Sequence, residues 1–376
     1  MSEINPRFGV WSPVSGGFGP LQHPEERPDA SWEHNKRVIL LAEELGFDST
    51  LVAQHTISTR GPGHAQLEAW TASAALAALT QRIEVITAIK PYLYHPVVLA
   101  KMALQIEEVS RGRFGINLVN AWYKPELDRA GIGFNDHDER YAYGTEWLTI
   151  FRELVAGREV SFQGRYFKID QYELWPKDKF RTRPVIYAGG ESGPARTMVS
   201  ELADVWFING QPIGDVRKLI GDLPASPRRR QPLRYGLAAF VIARETDAEA
   251  EQALAYSFEL AGKDCALHAQ RAANTDPKAV MFQTFAKLPH IGTNGGTAAG
   301  LVGSYDKVAA RIREFNAAGI ELFMLQFQPM EAEMKRFAAE IMPRVRRLPE
   351  NDRPHRESRK ATIPDPPPHA SPFHRI

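Results

Sequence analysis

The chain has 376 residues, of which 43% are hydrophobic and 24% are charged, and its formal net charge at pH 7 is +1. This mixture is typical of a globular protein with a substantial core, and a charge so close to zero gives no indication of binding to nucleic acid or to an anionic membrane. No apolar run reaches the roughly 20 residues of a membrane span, and the first residues lack the pattern of a secretory signal. Cys265 is the only cysteine, so an internal disulfide is excluded. We therefore expect a cytoplasmic, enzyme-sized protein.

Strand-like and helix-like segments alternate along the first half of the chain. The first strand is predicted at 8–13, and the first helix, at 32–47, has Val38, Leu41 and Ala42 on one face, at the period of a helix packed against a sheet. Three more strand–helix pairs follow, with strands at 49–54, 83–89 and 113–119 and helices at 68–80, 95–109 and 139–157.

The second half resumes the alternation after a segment of a different kind. Residues 159–174 alternate polar and apolar side chains around Gly164, which predicts a β-hairpin outside the main sheet. Four more pairs follow, with strands at 184–190, 204–210, 234–244 and 322–327 and helices at 192–203, 214–223, 305–320 and 331–346. Eight strand–helix units joined by right-handed crossovers predict the α/β class and a (β/α)₈ TIM barrel. An open doubly wound sheet is the alternative, but the glycine fingerprint of its nucleotide-binding members does not follow the first strand.

Two segments do not follow the alternation. Residues 246–303 begin as a helical stretch and end in a Gly/Thr-rich run, so we interpret them as an insertion in the barrel. Residues 349–376 are polar and rich in proline and cannot form a core, which predicts a C-terminal tail outside a barrel domain at 1–348.

Aromatic and amide side chains recur where the predicted strands end. In such a barrel the loops after the strands build the active site. The side chains at these positions are Trp11, Gln54, His55, Lys90, Tyr92, Tyr94, Asn117, Asn120, Trp122, Trp206, Asn209, Phe240, Gln326 and Gln328. A set with so few carboxylates suits a flat, conjugated, hydrogen-bonding ligand better than a sugar or a metal ion. We predict no metal site.

Two short motifs add candidates for binding a phosphate. In "AGGESGPAR" (188–196), two glycines end a strand and Ser192 begins a helix, whose N-terminus can bind a phosphate; an ordinary capped loop is the alternative. In "NDHDERY" (135–141), His137 and Tyr141 are four residues apart and so share one face at the start of a helix.

Several stretches together resemble the bacterial luciferase-like, flavin-dependent monooxygenases, in the order and spacing of that family. They are "RGRFGINLVNAW", "HDERY", "FQGRYFKIDQYEL", "PVIYAGGESGPAR" and "GLVGSYDKVAARI". The resemblance covers about residues 8 to 346 and is nearest to the FMNH₂-dependent alkanesulfonate and dimethylsulfone monooxygenases. It implies a dimeric or tetrameric barrel to which an NAD(P)H-dependent flavin reductase supplies reduced FMN. By matching motif, Asn117 is expected to contact the isoalloxazine ring, and the phosphate or ribityl chain is expected to lie among His137, Tyr141, Gly190, Ser192 and Gly193.

The resemblance also implies an activity. We expect a two-component monooxygenase that uses FMNH₂ and O₂ to break the C–S bond of a small sulfone or sulfonate, with the insertion at 246–303 serving as a lid. The cationic side chains of the sulfonate branch are replaced here by Ala238, Phe240 and Asn294, which favours a neutral sulfone. Cations of the lid or tail could restore a sulfonate site, and the candidates are His290, Arg356 and Arg359.

Specific roles are assigned to the side chains at the strand ends. We expect His55 to deliver a proton, with Tyr92 or Tyr94 as alternatives, and Asn117 to take part in catalysis as well as cofactor binding. The substrate is expected to contact Trp11, Trp122, Trp206 and Gln326. The competing hypotheses are oxygenation of a pyrimidine-like or other heteroatom-containing substrate, an F420-dependent oxidoreductase with the same barrel, and a flavin-binding protein without enzymatic activity.

Overall fold

The computed structural model describes residues 5–226, 231–279 and 288–346. Eight of its strands are parallel and belong to one sheet: β1 (Arg7–Trp11), β2 (Ser49–Val52), β3 (Glu84–Ile89), β4 (Phe114–Leu118), β7 (Val185–Gly189), β8 (Val205–Ile208), β9 (Arg234–Phe240) and β12 (Ile320–Gln326). The sheet is closed in the order β1-β12-β9-β8-β7-β4-β3-β2. Closure is made by β1 and β12, where Phe8 is in register with Phe323. The prediction of a (β/α)₈ barrel is confirmed, and the open doubly wound sheet is excluded.

Helices follow the barrel strands, and most of them pack on the outside of the barrel. They are α1 (Trp32–Glu44), α2 (Ala69–Leu79), α3 (Pro96–Ser110), α4 (Lys124–Arg129), α5 (His137–Val155), α6 (Gly193–Leu202), α7 (Ile213–Gly221), α8 (Asp247–Gly262), α9 (Cys265–Ala273), α10 (Tyr305–Ala317), α11 (Met330–Arg336) and α12 (Met342–Val345). The first helix shows how sequence selects these elements. Ser31 caps it by accepting a hydrogen bond from the His34 N–H, and Val38, Ile39 and Ala42 form its buried face.

The interior of the barrel is packed with apolar side chains that point inward from alternate strand positions. They form a cluster separate from the core between sheet and helices, and its largest members include Leu51, Ile86, Tyr187, Phe207 and Met324. The barrel is therefore a filled core, and space for a ligand is left only at its ends.

The predicted hairpin is present as β5 (Val160–Gln163) and β6 (Lys168–Tyr172), which pair with each other in antiparallel fashion, outside the barrel. The predicted strand at 234–244, by contrast, is broken. The Val241 N–H still donates to the Gln326 carbonyl, but the Ile242 N–H donates to Leu301, so the chain changes partner between these residues. Residues 242–244 become β10 (Ile242–Arg244), which pairs with β11 (Val302–Ser304). This short ladder joins the two ends of the insertion predicted at 246–303.

Two other segments differ in detail from the prediction. The short helix α4 lies in a stretch where no helix was predicted. The predicted final helix at 331–346 is divided by one π-helical turn, Phe337–Ile341, between α11 and α12. Within the described residues, no helix is both long enough and apolar enough to span a membrane. The predicted tail, with Arg356 and Arg359, lies outside the described residues.

Candidate active site

A cavity of about 620 Å³ lies at the carboxyl ends of the barrel strands. Its walls come from the barrel and its roof from the insertion: Ala261 to Ala279 contribute one part of the lining and His290 to Asn294 another. Cavities of this size hold a cofactor or a drug-sized ligand.

Eight of the predicted site residues line this cavity. They are Trp11, His55, Asn117, Trp122, His137, Tyr141, Gly190 and Ser192. They come from the ends of four different strands or the loops that follow them, and from the start of α5, so the fold brings together residues that are up to 181 positions apart in sequence. Their roles toward a ligand remain predictions.

Five other candidates are not among the lining residues. The Tyr92 hydroxyl accepts a hydrogen bond from Asn135 Nδ2 at 3.1 Å, and Tyr94 Oη donates to Glu68 at 3.0 Å. Trp206 is fully buried, and its indole N–H donates to the Gly190 carbonyl at 2.9 Å, so it supports the cavity wall from behind. The other two are Gln326 and Gly193. These contacts give no support to direct roles for Tyr92, Tyr94 or Trp206.

Gln326 joins the barrel to the insertion. Its side-chain carbonyl accepts from the Thr293 N–H at 2.9 Å, and its amide N–H donates to the Thr293 carbonyl at 3.1 Å. Nearby, the Gly210 N–H donates to the Asn294 carbonyl at 2.7 Å, and Asn294 Nδ2 donates to Asn209 Oδ1 at 2.8 Å. The Gly/Thr-rich run is thus fixed to the ends of β8 and β12. The predicted substrate-binding residue Gln326 holds the roof of the cavity.

Several buried polar atoms around the cavity have no hydrogen-bond partner within the described part of the chain. Asn117 is 3% exposed and Asn120 is 9% exposed, yet the side-chain oxygen of each is unsatisfied. The amide nitrogen of Gln54 and the indole nitrogen of Trp11 are likewise unsatisfied. Because leaving such groups unsatisfied costs about 1–3 kcal/mol each, their concentration on one cavity indicates a ligand with hydrogen-bonding groups.

The N-terminus of α6 lies at one side of the cavity. Ser192 caps the helix, and Tyr141, whose pKa burial raises to about 12, is hydrogen-bonded to Ser192. Gly190 has a φ of +116°, and a Cβ atom there would be 2.6 Å from the Tyr141 hydroxyl oxygen. Only glycine permits this close turn. At Gly193 a Cβ atom would meet nothing within 4 Å, so the first turn of the helix is open. This is the geometry in which helix N-termini bind phosphate.

Glu191 lines the cavity and has no cationic partner among the described residues. Glu191 is 6% exposed, and one of its oxygens accepts hydrogen bonds from Asn209 N, Asn209 Nδ2 and Gln211 Nε2 at 2.9, 3.0 and 3.2 Å. Burial raises the pKa of Glu191, although these three donors oppose the shift. Sequence reasoning did not select this residue, because it lies within the motif attributed to phosphate binding.

His55 belongs to a buried group that the sequence did not reveal. Glu126, at the start of α4, is buried and forms an ion pair with Lys90, which lies directly after β3. Lys90 Nζ is 2.7 Å from His55 Nδ1, and Glu126 is 3.2 Å from the same nitrogen. The Thr56 N–H donates to Glu126 at 2.6 Å. Glu126 was missed because α4 was missed; the signal available was a proline–acid pair, Pro125 and Glu126, typical of a helix start.

This group determines the protonation state of the histidine. Burial, together with the charge on Lys90, lowers the pKa of His55 to about 4. Burial lowers the pKa of Lys90 to about 8 against the opposing effect of Glu126. For Glu126, burial alone would raise the pKa, but Lys90 and His55 lower it to about 2. At neutral pH, Lys90 is therefore charged and donates to Nδ1, so the neutral imidazole carries its proton on Nε2. His55 can offer a ligand an N–H donor at that atom.

The insertion covers the cavity through contacts with three barrel loops. The Leu21 N–H donates to Asp264 at 2.8 Å, and the Asp276 N–H donates to the Trp122 carbonyl at 3.0 Å. Asp276 also forms a buried ion pair with Arg140. Together with the Gln326–Thr293 contact, these bonds hold a roof over the site, so a bound ligand would be shielded from water.

A closed barrel with an amide-rich, roofed cavity and a helix N-terminus for phosphate defines a flavoenzyme-like site, and comparison with known proteins identifies the family. Residues 7–322 match the luciferase-like monooxygenases. The chain belongs to that family, as the sequence motifs predicted.

The chain is similar to individual members of the family along most of its length. The chain is 31% identical over 357 residues to an FMNH₂-dependent dimethylsulfone monooxygenase of Pseudomonas fluorescens (strain Pf0-1), with 93% of this chain and 96% of the relative covered. It is 30% identical over 356 residues to the protein of the same description from Pseudomonas putida, with 92% and 97% covered. The structure of DmoA from Hyphomicrobium sulfonivorans superposes with a TM-score of 0.72 at 18% identity, over 92% of this chain and 88% of DmoA.

Proposed function

We propose that the protein is the oxygenase of a two-component system that uses FMNH₂ and O₂ to break a C–S bond in a small neutral sulfone. The observation that carries this proposal is the roofed cavity with its unsatisfied amides beside the N-terminus of α6. The likeness to two FMNH₂-dependent dimethylsulfone monooxygenases over more than nine-tenths of the chain supports it.

The residues around the cavity fit reduced FMN. Asn117 Oδ1 and Asn120 Oδ1 are acceptors without partners in the described part of the chain, and the ring system of a reduced flavin has N–H donors at its polar edge. Ser192, the open first turn at Gly193 and the Tyr141 hydroxyl suit a phosphate. When bound, the flavin supplies the two electrons that activate O₂.

The protein's own groups then have three tasks. The amides orient the ring system, and the roof fixed by Gln326 excludes water from the site. His55, neutral and protonated on Nε2, donates a hydrogen bond to an oxygen atom of the substrate or of the reacting oxygen species. Its pKa of about 4 makes it a poor reservoir of protons at pH 7, so this role replaces the general acid first predicted for it.

Two apolar positions of the barrel favour a neutral substrate over an anionic one. Ala238 is fully buried and Phe240 is 2% exposed, and Phe240 packs with Ile242 and Ile291. Two positions that carry cations in the sulfonate branch are therefore apolar here, and neither can stabilise a permanent anion.

The proposed function also implies a partner enzyme, an oligomeric assembly and a cellular compartment. An NAD(P)H-dependent flavin reductase would supply FMNH₂, since the relatives are described as dependent on the reduced flavin. A homodimer or homotetramer is the expected assembly for the family, and an unpaired cysteine, Cys265, is consistent with the cytoplasm. The segment at 246–303 would act as a lid over the bound flavin.

The proposal is tested by turnover in air. The purified chain is combined with FMN, NADH and a flavin reductase, and separate reactions receive dimethylsulfone, methanesulfonate or uracil. We expect formaldehyde from dimethylsulfone alone. Turnover of uracil without turnover of dimethylsulfone, or activity only with reduced F420, would replace the proposed function by one of its alternatives.

A further inference from the structure

In the described part of the chain, three arginines line the cavity, and they differ in their ion-pair and hydrogen-bond partners. Arg140 forms a buried ion pair with Asp276. Arg60 donates to the backbone carbonyls of Ser15 and Gly17 at 2.6 and 2.5 Å. Arg271, at the end of α9, has no carboxylate within ion-pairing distance among the described residues, and its Nε atom is buried without a hydrogen-bond partner.

Arg271 is nevertheless held in position. Its guanidinium lies over the Trp122 ring, 5.1 Å from the ring centroid, and Nη2 donates to Thr293 Oγ1 at 3.3 Å. Trp122 lines the cavity and contacts His55 edge-to-face, with ring centroids 5.6 Å apart. The cation is therefore fixed on the side of the cavity where His55 lies. A mostly buried cation without a counterion is costly, and a bound anion would offset that cost.

The neighbouring Arg60 adds to the positive potential at Arg271. Burial, and then the charge on Arg60, lowers the pKa of Arg271 to about 10. Burial lowers the pKa of His290 as well, and Arg271 and His268 add to that shift. Two acids act on this side: the charges of Asp264 and Glu26 both act on Arg60, and Asp264 also accepts the Leu21 N–H. Arg60, Arg271, His268 and His290 thus all line the cavity, and within the described residues no carboxylate lies within ion-pairing distance of Arg271.

We propose that Arg271, supported by Arg60 and His290, forms a subsite for a small organosulfur oxyanion. The anion is the sulfinate released from a sulfone, or a sulfonate that enters as substrate; both present the same S–O⁻ chemistry to a guanidinium. The inference rests on the proposed function for the identity of the ligand. In this proposal the positive charge lies in the roof, on Arg271, whereas the barrel positions Ala238 and Phe240 are apolar.

The chemistry of a sulfone shows where such an anion arises. One oxygen atom of O₂ is inserted into a C–H bond beside the sulfonyl group, and the other leaves as water with the two electrons of FMNH₂. The C–S bond of the hydroxylated sulfone then breaks, its electron pair remains on sulfur, and the carbon leaves as an aldehyde. For dimethylsulfone the balance is (CH₃)₂SO₂ + O₂ + FMNH₂ → CH₃SO₂⁻ + H⁺ + HCHO + FMN + H₂O. A neutral substrate thus becomes an anionic product inside the cavity.

The test measures anion binding without flavin and without turnover. Sodium methanesulfinate, sodium methanesulfonate and neutral dimethylsulfone are each titrated by calorimetry into the full-length wild-type chain and into Arg271→Gln and Arg271→Lys. Arg129→Gln is the matched control, because Arg129 is an exposed arginine at the end of α4.

We expect both anions to bind the wild type, and to bind Arg271→Gln about tenfold more weakly or worse, since a charge-assisted hydrogen bond is lost. Arg271→Lys should recover part of the affinity, the control should match the wild type, and dimethylsulfone should bind all four proteins alike. If the anions bind Arg271→Gln as tightly as the wild type, or if dimethylsulfone is weakened equally, the subsite does not exist.

Two further arms assign the ligand. Methanesulfonate consumed in the presence of FMNH₂ identifies a substrate, whereas methanesulfinate that only inhibits turnover of dimethylsulfone identifies a product; either supports the subsite. If Arg271→Gln weakens binding of FMN but of neither riboflavin nor the sulfur anions, the residue serves the cofactor phosphate and the inference fails. If dimethylsulfone is not oxidised but the anions bind in an Arg271-dependent manner, the proposed function fails and the subsite stands.

Discussion

Asn117 and His55 illustrate how single residues of this site are prepared for a ligand at the expense of contacts within the protein. Asn117 is buried at the end of β4 with its side-chain oxygen unsatisfied. His55 has one ring nitrogen, Nδ1, occupied by Lys90, which leaves the other for a ligand. The unsatisfied oxygen of Asn117 raises the free energy of the protein without ligand, and binding would recover it.

Asn117→Ala should therefore weaken the binding of FMNH₂ about tenfold while changing the free energy of unfolding by less than about 1 kcal/mol, since the lost oxygen has no partner among the residues that the structure describes. Anaerobic fluorescence titration and urea unfolding measure the two quantities.

The matched control is Asn35→Ala. Asn35 is an equally buried amide, but it accepts from Ser12 Oγ at 2.8 Å and donates to Pro13 and Ser31. This variant should lose stability and keep its affinity for flavin. Equal effects of the two variants on flavin binding would refute the assignment of Asn117.

The pH dependence of kcat/KM should report the ionisation of Lys90. Below about pH 8 the ammonium is charged and holds the His55 proton on Nε2; above it, Lys90 loses its proton and this arrangement weakens. We expect the wild-type rate to fall above about pH 8. In Lys90→Arg the fall should disappear, because a guanidinium stays charged to beyond about pH 12.

Lys90→Met separates this explanation from a structural one. The variant should be slow at every pH, and the pKa of His55, followed by NMR, should rise from about 4, because burial is then opposed by Glu126 without competition from Lys90. An alkaline limb that persists unchanged in Lys90→Arg would show that another group titrates there.

Among the elements, α6 and the roof segment carry the functional predictions. The start of α6 combines the cap Ser192 with an open first turn, and the roof is held by hydrogen bonds between Gln326 and Thr293. Each element can be altered without disturbing the barrel.

Gly193→Asp should separate stability from binding. An acidic side chain in the first turn of a helix stabilises it by about 0.3–1 kcal/mol, but the same charge repels a phosphate. Since no atom of the described residues lies within 4 Å of the new Cβ, the change meets no steric obstacle among them. We expect unchanged or higher thermal stability, at least tenfold weaker FMN binding and unchanged riboflavin binding. Gly193→Ala is the neutral control. Equal weakening of FMN and riboflavin would place the phosphate elsewhere.

Gln326→Leu should loosen the roof. The variant loses two hydrogen bonds to Thr293, so the roof should exclude water less well. Reduced oxygen would then leave the site as hydrogen peroxide. We expect a higher yield of peroxide per FMNH₂ oxidised and a lower yield of formaldehyde, at nearly unchanged flavin affinity. Gln326→Glu retains the acceptor for the Thr293 N–H and should lie between. A peroxide yield equal to that of the wild type would contradict a lid function for this segment.

At the scale of the whole molecule, the sequence predicted the barrel but not the connections across its mouth. The strand and helix periods are local, and eight units with parallel crossovers leave few other topologies. The break at Val241 could not be predicted, since 238–244 has the composition of one continuous strand. The hydrogen bond from the Ile242 N–H to Leu301 makes the break, and that contact forms only when the insertion folds back.

The same distinction applies to the site. Residues at strand ends, such as Asn117 and His55, were predicted because the barrel fixes where every strand ends. Glu126, which contacts His55 from α4, and Arg271, which lines the cavity from α9, were not predicted, since the docking of both helices depends on contacts distant in sequence. Trp206 was assigned to the substrate although it supports Gly190 from outside the cavity, because a strand-end position alone does not specify which way a side chain points.

A single turnover tests the central claim most directly. The complex of the chain with FMNH₂ is prepared without oxygen and mixed with air-saturated buffer, with and without dimethylsulfone, and formaldehyde and hydrogen peroxide are quantified per FMNH₂ oxidised. We predict close to one formaldehyde per flavin when the sulfone is present, and peroxide alone when it is absent. Peroxide as the product in both mixtures, with no formaldehyde, would contradict the assignment of this cavity to sulfone oxygenation.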